Sequence, residues 1–155
     1  MKIELKKIKV MESHSFETFC YSASLFLDGK RIGEVSNTGD GVPDQFDGDE
    51  AKYNEADAWL ATLPSESIHG SNYHKSIEGF CYNEITFYLA TQDLKKKMVG
   101  RILYKKAGTD HVLEKKYDGV NKIEDEHLDD FRFKNPYCVS LNILPIQKAV
   151  ALYIG

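Results

Sequence analysis

The chain has 155 residues, 42% of them hydrophobic and 28% charged, with eight Phe, nine Tyr and one Trp. That aromatic content excludes disorder as a global description, and no stretch approaches the ~20 apolar residues a membrane-spanning helix needs. Lys and Arg number 20 against 24 Asp and Glu, a net charge of −4. This balance argues against a dedicated nucleic-acid-binding domain, which carries excess positive charge.

The opening MKIELKKIKV alternates Lys with aliphatic residues and lacks the continuous apolar core of a signal peptide, so a cytoplasmic protein is expected. Ile3 and Leu5 fall on one face of this strand and Ile8 and Val10 on the other, which predicts a bulge near Lys6–Lys7. Phe19, Tyr21, Ala23, Leu25 and Leu27 then alternate as in a half-buried strand. Asp28–Gly29 predicts a two-residue type I′ hairpin placing Leu27 opposite Lys30 and Leu25 opposite Ile32. The run from Asn37 to Pro43 is too rich in Gly and Pro for regular structure, and a short extended piece near Gln45–Asp47 is expected to return to the sheet.

From Glu50 to Leu63, Ala56, Trp59, Leu60 and Leu63 follow helical spacing until Pro64. Ser65 to Ser71 reads as a polar loop dividing the chain into residues 1–64 and 65–155, lobes of one compact unit. A long helix is predicted over Tyr73–Met98, its buried stripe Ile77, Cys81, Ile85, Tyr88 and Leu89, its end marked by Lys95–Lys97 and Gly100. A second hairpin, Arg101–Lys106 with His111–Tyr117, precedes an acidic helix over Lys122–Phe133. Val139–Ile143 reads as a strand and Pro145–Tyr153 as a closing helix. The fold class expected is α+β: an N-terminal antiparallel sheet with a packed helix, then a helix-rich lobe with a second β-hairpin.

Cys20, Cys81 and Cys138 are widely spaced and odd in number, which offers no zinc or redox motif and fits small hydrophobes in a reducing compartment. Charge is sorted into blocks. Asp40–Asp57 holds seven acids and one lysine, Lys95–Lys122 nine bases and three acids, and Glu124–Asp130 five acids and no base. Solvated faces account for blocks of this length. Asp40, Asp44, Asp47, Asp49 and Glu50, interspersed with glycines, have the ligand chemistry of a Ca²⁺ or Mg²⁺ loop. Their spacing is not that of an EF-hand, and turn-forming and helix-capping Asp explain the same residues, so no metal is expected. The glycines match no phosphate-binding fingerprint.

Glu114-Lys115-Lys116 with Asp110 fits the E-x-K half of a PD-(D/E)xK metal nuclease, whose acids hold Mg²⁺ while the lysine orients hydroxide. Asp110 lies inside the apparent turn instead of upstream on another strand, and E-x-K is commonplace in lysine-rich strands. His69-Gly-Ser71 and His74-Lys-Ser76 match the H-x-S unit of two-histidine phosphoesterases, but lie five residues apart rather than on separate strands. No hydrolase, zincin or Cys-His signature is present, and neither a catalytic residue nor a cofactor is expected. Arg101, Lys105, Lys106, Lys115 and Lys116, interleaved with Tyr104 and Tyr117, combine the cations and rings of a nucleic-acid binder. An ordinary exposed hairpin shows the same alternation.

The run LFLDGKRIGEVSNTGDG, followed by ADAWLATLP, resembles the start of short uncharacterised proteins of phages, prophages and other bacterial mobile elements. The resemblance covers about the first 64 residues and carries no catalytic positions. It implies an accessory protein of a class that binds and blocks host machinery. The reading is therefore a non-catalytic binding protein, acting in the host cytoplasm on a host protein or complex and inhibiting a defence complex by steric or charge-complementary blocking. Its surfaces would be Asp40, Asp44, Asp47, Asp49 and Glu50, or Glu124, Asp125, Glu126, Asp129 and Asp130. The alternatives are nucleic-acid binding through the basic hairpin and a nuclease centred on Glu114 and Lys116. No membrane partner is expected.

Overall fold

Asp28 and Gly29 turn the chain with φ of +48° and +82° in the computed structural model, which describes residues 1–64, 66–68, 71–73 and 75–154. Gly29 adopts this region without strain, and two such residues in succession match the right-handed twist of the strands they join. The turn connects β2 (Cys20–Leu27) to β3 (Lys30–Thr38), with Leu27 opposite Lys30 as expected. One pair further on the register shifts. Leu25 pairs with Gly33, not with Ile32, because Ile32 is the extra residue of a bulge. Two distant groups account for it. The Ile32 carbonyl accepts the Asp49 amide at 2.9 Å. Gly33 lies so close beneath the Phe46 ring that a Cβ would meet both the ring and, at 2.6 Å, the Asp47 carbonyl. The bulge returns Val35 to the inner face opposite Ala23.

Strands β1 (Ile3–Val10) and β4 (Gln45–Gly48) complete a four-stranded antiparallel meander in the order β1-β2-β3-β4. In β1 the expected bulge is present: the register slips between Lys6 and Lys9, and Lys7 has φ +56°. It brings Ile8 and Val10 to the face of Ile3 and Leu5.

Helix α1 (Glu50–Ala61) starts where the Asp49 carboxylate accepts the Lys52 amide, and it buries Ala56 and Leu60. The Phe46 and Tyr53 rings, 4.6 Å apart, join it to the sheet.

Two departures from the sequence reading follow α1. Part of the expected polar loop is a small antiparallel pair, β5 (Glu66–Ile68) with β6 (Ser71–Tyr73). Tyr73 therefore belongs to a strand, and α2 spans Ile77–Lys97. Its start is fixed by two acceptors: the Asp57 carboxylate takes the Ile77 amide at 2.8 Å, and the Ser76 hydroxyl takes the Gly79 amide at 3.1 Å. His69 and His74 lie outside the described residues.

The chain forms two compact units, Met1–Thr86 and Phe87–Gly155. In the first, Leu25, Val35, Ala56, Ile77, Cys81 and Ile85 have no exposed surface.

In the second unit β7 (Arg101–Lys106) is the middle strand of the order β8-β7-β9, with β8 (Leu113–Lys116) and β9 (Cys138–Ser140). Its neighbouring side chains feed opposite faces. Leu103 packs with Leu94, Leu141, Ala149 and Val150, the last two from α4 (Ile146–Ile154). Ile102 packs with Leu128 and Phe131 of α3 (Asp125–Lys134). The expected strand over Val139–Ile143 is shorter than predicted: Leu141–Ile143 form a 3₁₀ turn. Asn142 there replaces the missing ladder, accepting from the Leu103 amide and donating to the Arg101 carbonyl, both at 2.9 Å. The architecture is α+β.

Candidate functional site

Each of the three charged groups singled out in the sequence can be placed. In the first acidic group, Asp44 is bound to structural partners. The Tyr21 hydroxyl donates to its Oδ2, and the Asn37 side-chain amide donates to its Oδ1 at 3.0 Å. Asn37, only 6% exposed, also donates to the Val42 carbonyl and accepts from the Thr18 hydroxyl and the Gly39 amide, each at 2.8 Å. Burial pushes the Tyr21 hydroxyl far above the ordinary phenol range, reinforced by Cys81 and Asp44. This network is the clasp of the 39–44 loop. Asp49 caps α1, Asp47 lies opposite Glu34 in the sheet, and Asp40 and Glu50 are exposed. Among the described residues, no three His, Cys, Asp or Glu side chains are grouped as a metal ion would require.

The second acidic group builds α3. Glu124 and His127 form a reciprocal capping box, each side chain taking the other's backbone amide. Leu128 and Phe131 are buried, whereas Glu126, Asp129, Asp130 and Phe133 stand at i, i+3, i+4 and i+7 on the opposite face. Asp129 is paired with Arg132 at 3.2 Å and Asp130 with Lys134 at 2.7 Å. Asp125 and Glu126 form no ion pair among the described residues. Phe133 is 88% exposed, and Tyr137 just beyond the helix is 84% exposed. The sequence reading missed both. The signal for Phe133 was its helical spacing from three carboxylates.

The basic hairpin does not present its cations on one surface. By strand alternation Arg101 and Lys105 share the face of Leu103, and Lys106 and Lys115 share that of Ile102. Arg101 contacts Glu114 at 3.8 Å and Lys116 contacts Asp118 at 3.3 Å. The interleaved rings are packed against α3: Tyr104 on Phe131 at 4.8 Å and Tyr117 edge-on to His127 at 5.1 Å. Burial raises the Tyr117 hydroxyl above its ordinary value. Between β8 and α3 these residues leave a groove of about 470 Å³. Glu114, the centre of the nuclease reading, sits in mid-strand opposite Leu103, and Asp110 is exposed in the connection between the strands.

Among the described residues, no helix is long and apolar enough to cross a membrane. Comparison with protein-family models, with curated proteins and with solved structures returns no match.

Proposed function

We propose that the protein is a non-catalytic accessory factor of a phage or another mobile element, binding a host protein complex in the cytoplasm and blocking it. A host defence complex is the target class that the N-terminal resemblance favours. The observation carrying this reading is the outward face of α3, where a ring 88% exposed is set among Glu126, Asp129 and Asp130. An aromatic anchor supplies binding energy once a partner's pocket desolvates it, and the surrounding carboxylates steer a cationic surface toward it. The helix is held from behind by Leu128 and Phe131, so the face is preorganised and little ordering free energy is lost on docking.

The test is a pull-down from bacterial lysate with and without nuclease treatment. A protein retained by the wild type after nuclease and lost in both Phe133→Ala and Asp129→Lys/Asp130→Lys is the expected result. Retention that disappears with nuclease, or is lost only in Lys105→Glu/Lys106→Glu, would overturn the reading.

A further inference from the structure

The groove between β8 and α3 meets the second acidic surface at Asp130 alone, and one of its walls breaks a pattern. Lys115 pairs with Ile102, so strand alternation sends its side chain to the α3 side of the sheet, the layer otherwise formed by Ile102 and Tyr104. An exposed lysine thus leaves the sheet on the side of a helix-facing apolar layer and lines the groove there. Lys134 lines the same groove from α3, paired among the described residues with Asp130 in an exposed pair of the kind that contributes little. Tyr104 and Tyr117, each packed against α3 by one side and half-buried, supply the remaining aromatic surface of the lining. Asn135 donates its side-chain amide to the Phe131 carbonyl at 2.9 Å, which leaves its Oδ1 as an acceptor on the groove wall. The volume, about 470 Å³, lies within the range of small-molecule sites.

We propose that this groove binds a nucleotide, its phosphate between Lys115 and Lys134 and its base against Tyr104 or Tyr117. Two cations lining one groove suit a phosphate, and rings beside them suit a base, whose face stacks whatever its sequence. Lys134 is recruited by exchange: the phosphate replaces Asp130 as its counterion. The remaining carboxylate of the groove, Asp118, is held by Lys116. The shared chemistry, a nucleoside phosphate, has two sources, a free mononucleotide or a single-stranded nucleic acid.

The experiment titrates the isotope-labelled full chain with AMP, with inorganic phosphate and with a short single-stranded DNA, following backbone amide shifts by NMR. Expected are saturable shifts confined to residues 104, 113–118 and 130–135 with AMP or the DNA, and binding of phosphate alone at least about tenfold weaker. Lys115→Glu, an exposed site whose fold is checked by the unshifted remainder of the spectrum, weakens binding by about tenfold or more. Asp130→Asn, which frees Lys134, strengthens it about threefold. Saturation by AMP assigns the site to free nucleotides. Shifts with the DNA alone, lost in Lys115→Glu, assign it to single strands. Phosphate binding equal to AMP binding, DNA binding indifferent to Lys115→Glu, or no groove shifts through the millimolar range would each overturn the proposal.

Discussion

Replacing Asn37 with alanine removes four hydrogen bonds from one buried side chain and opens the clasp of the 39–44 loop. The four are not equivalent. The Val42 carbonyl and the Asp44 carboxylate are on exposed or half-exposed residues, where water can replace the lost donor. The Gly39 amide lies on a buried residue and the Thr18 hydroxyl on a half-buried one, and both donate to Asn37 Oδ1. At about 1 kcal/mol for each of these two bonds, plus about 1 kcal/mol for an amide left dry, the loss is about 3 kcal/mol. Urea unfolding followed by fluorescence reports on the correct half of the molecule, because the single tryptophan, Trp59, lies in α1 of the first unit. With an ordinary urea slope the midpoint falls by about 1–2 M and the slope is unchanged. A loss below about 1 kcal/mol would refute the view that this side chain holds the loop.

Gly33→Ala drives a methyl group into the Phe46 ring and the Asp47 carbonyl and lowers stability by about 1–3 kcal/mol in the same assay; an unchanged midpoint would mean that β4 yields freely. Burial pushes the Cys81 thiol up to about 12, so in the native protein at mild alkaline pH alkylation spares Cys81 while half-buried Cys138 reacts, as peptide mapping would show. Burial also raises Tyr53, to about 12, and Tyr21. Their protonated forms are favoured by the fold, so this contribution to first-unit stability is complete below pH 9, the ordinary thiol value, and is lost as pH climbs toward 12; denaturant midpoints rising over that interval would contradict it. Asp129→Lys/Asp130→Lys breaks two exposed pairs and changes stability by less than about 1 kcal/mol, measured by thermal unfolding; a larger loss would show that α3 depends on them for its own structure.

What was legible in the sequence was what neighbours in the chain decide. Asp28–Gly29 set its turn by local torsion, Asp49 capped the helix that begins one residue later, and Leu60 and Ile85 declared buried faces by spacing alone. The bulge at Ile32 was not legible, because the Asp49 amide and the Phe46 ring that impose it arrive from more than ten residues downstream. The short β5–β6 pair consists mostly of polar residues and offers no apolar alternation to read. Strand β9 ends early because the Asn142 side chain does the bonding its backbone was expected to do. At the surfaces, charge was visible and partners were not. Asp44 reads as a free carboxylate until Tyr21 and Asn37 are brought to it, and Tyr104 as a free ring until Phe131 closes on it.

The bulge in β1 has a consequence for how the molecule behaves in a crowd. β1 is the outer strand of its sheet, and without Lys7 its sequence would alternate Ile3, Leu5, Ile8 and Val10 without interruption, a flat template on which another chain's strand could dock. The inserted residue, at φ +56°, interrupts the ladder, while Lys6 and Lys9 place cations beside it. The bulge and its flanking cations thereby oppose strand-by-strand growth at this edge, and deleting Lys7 alone is expected to increase self-association, visible as concentration-dependent light scattering.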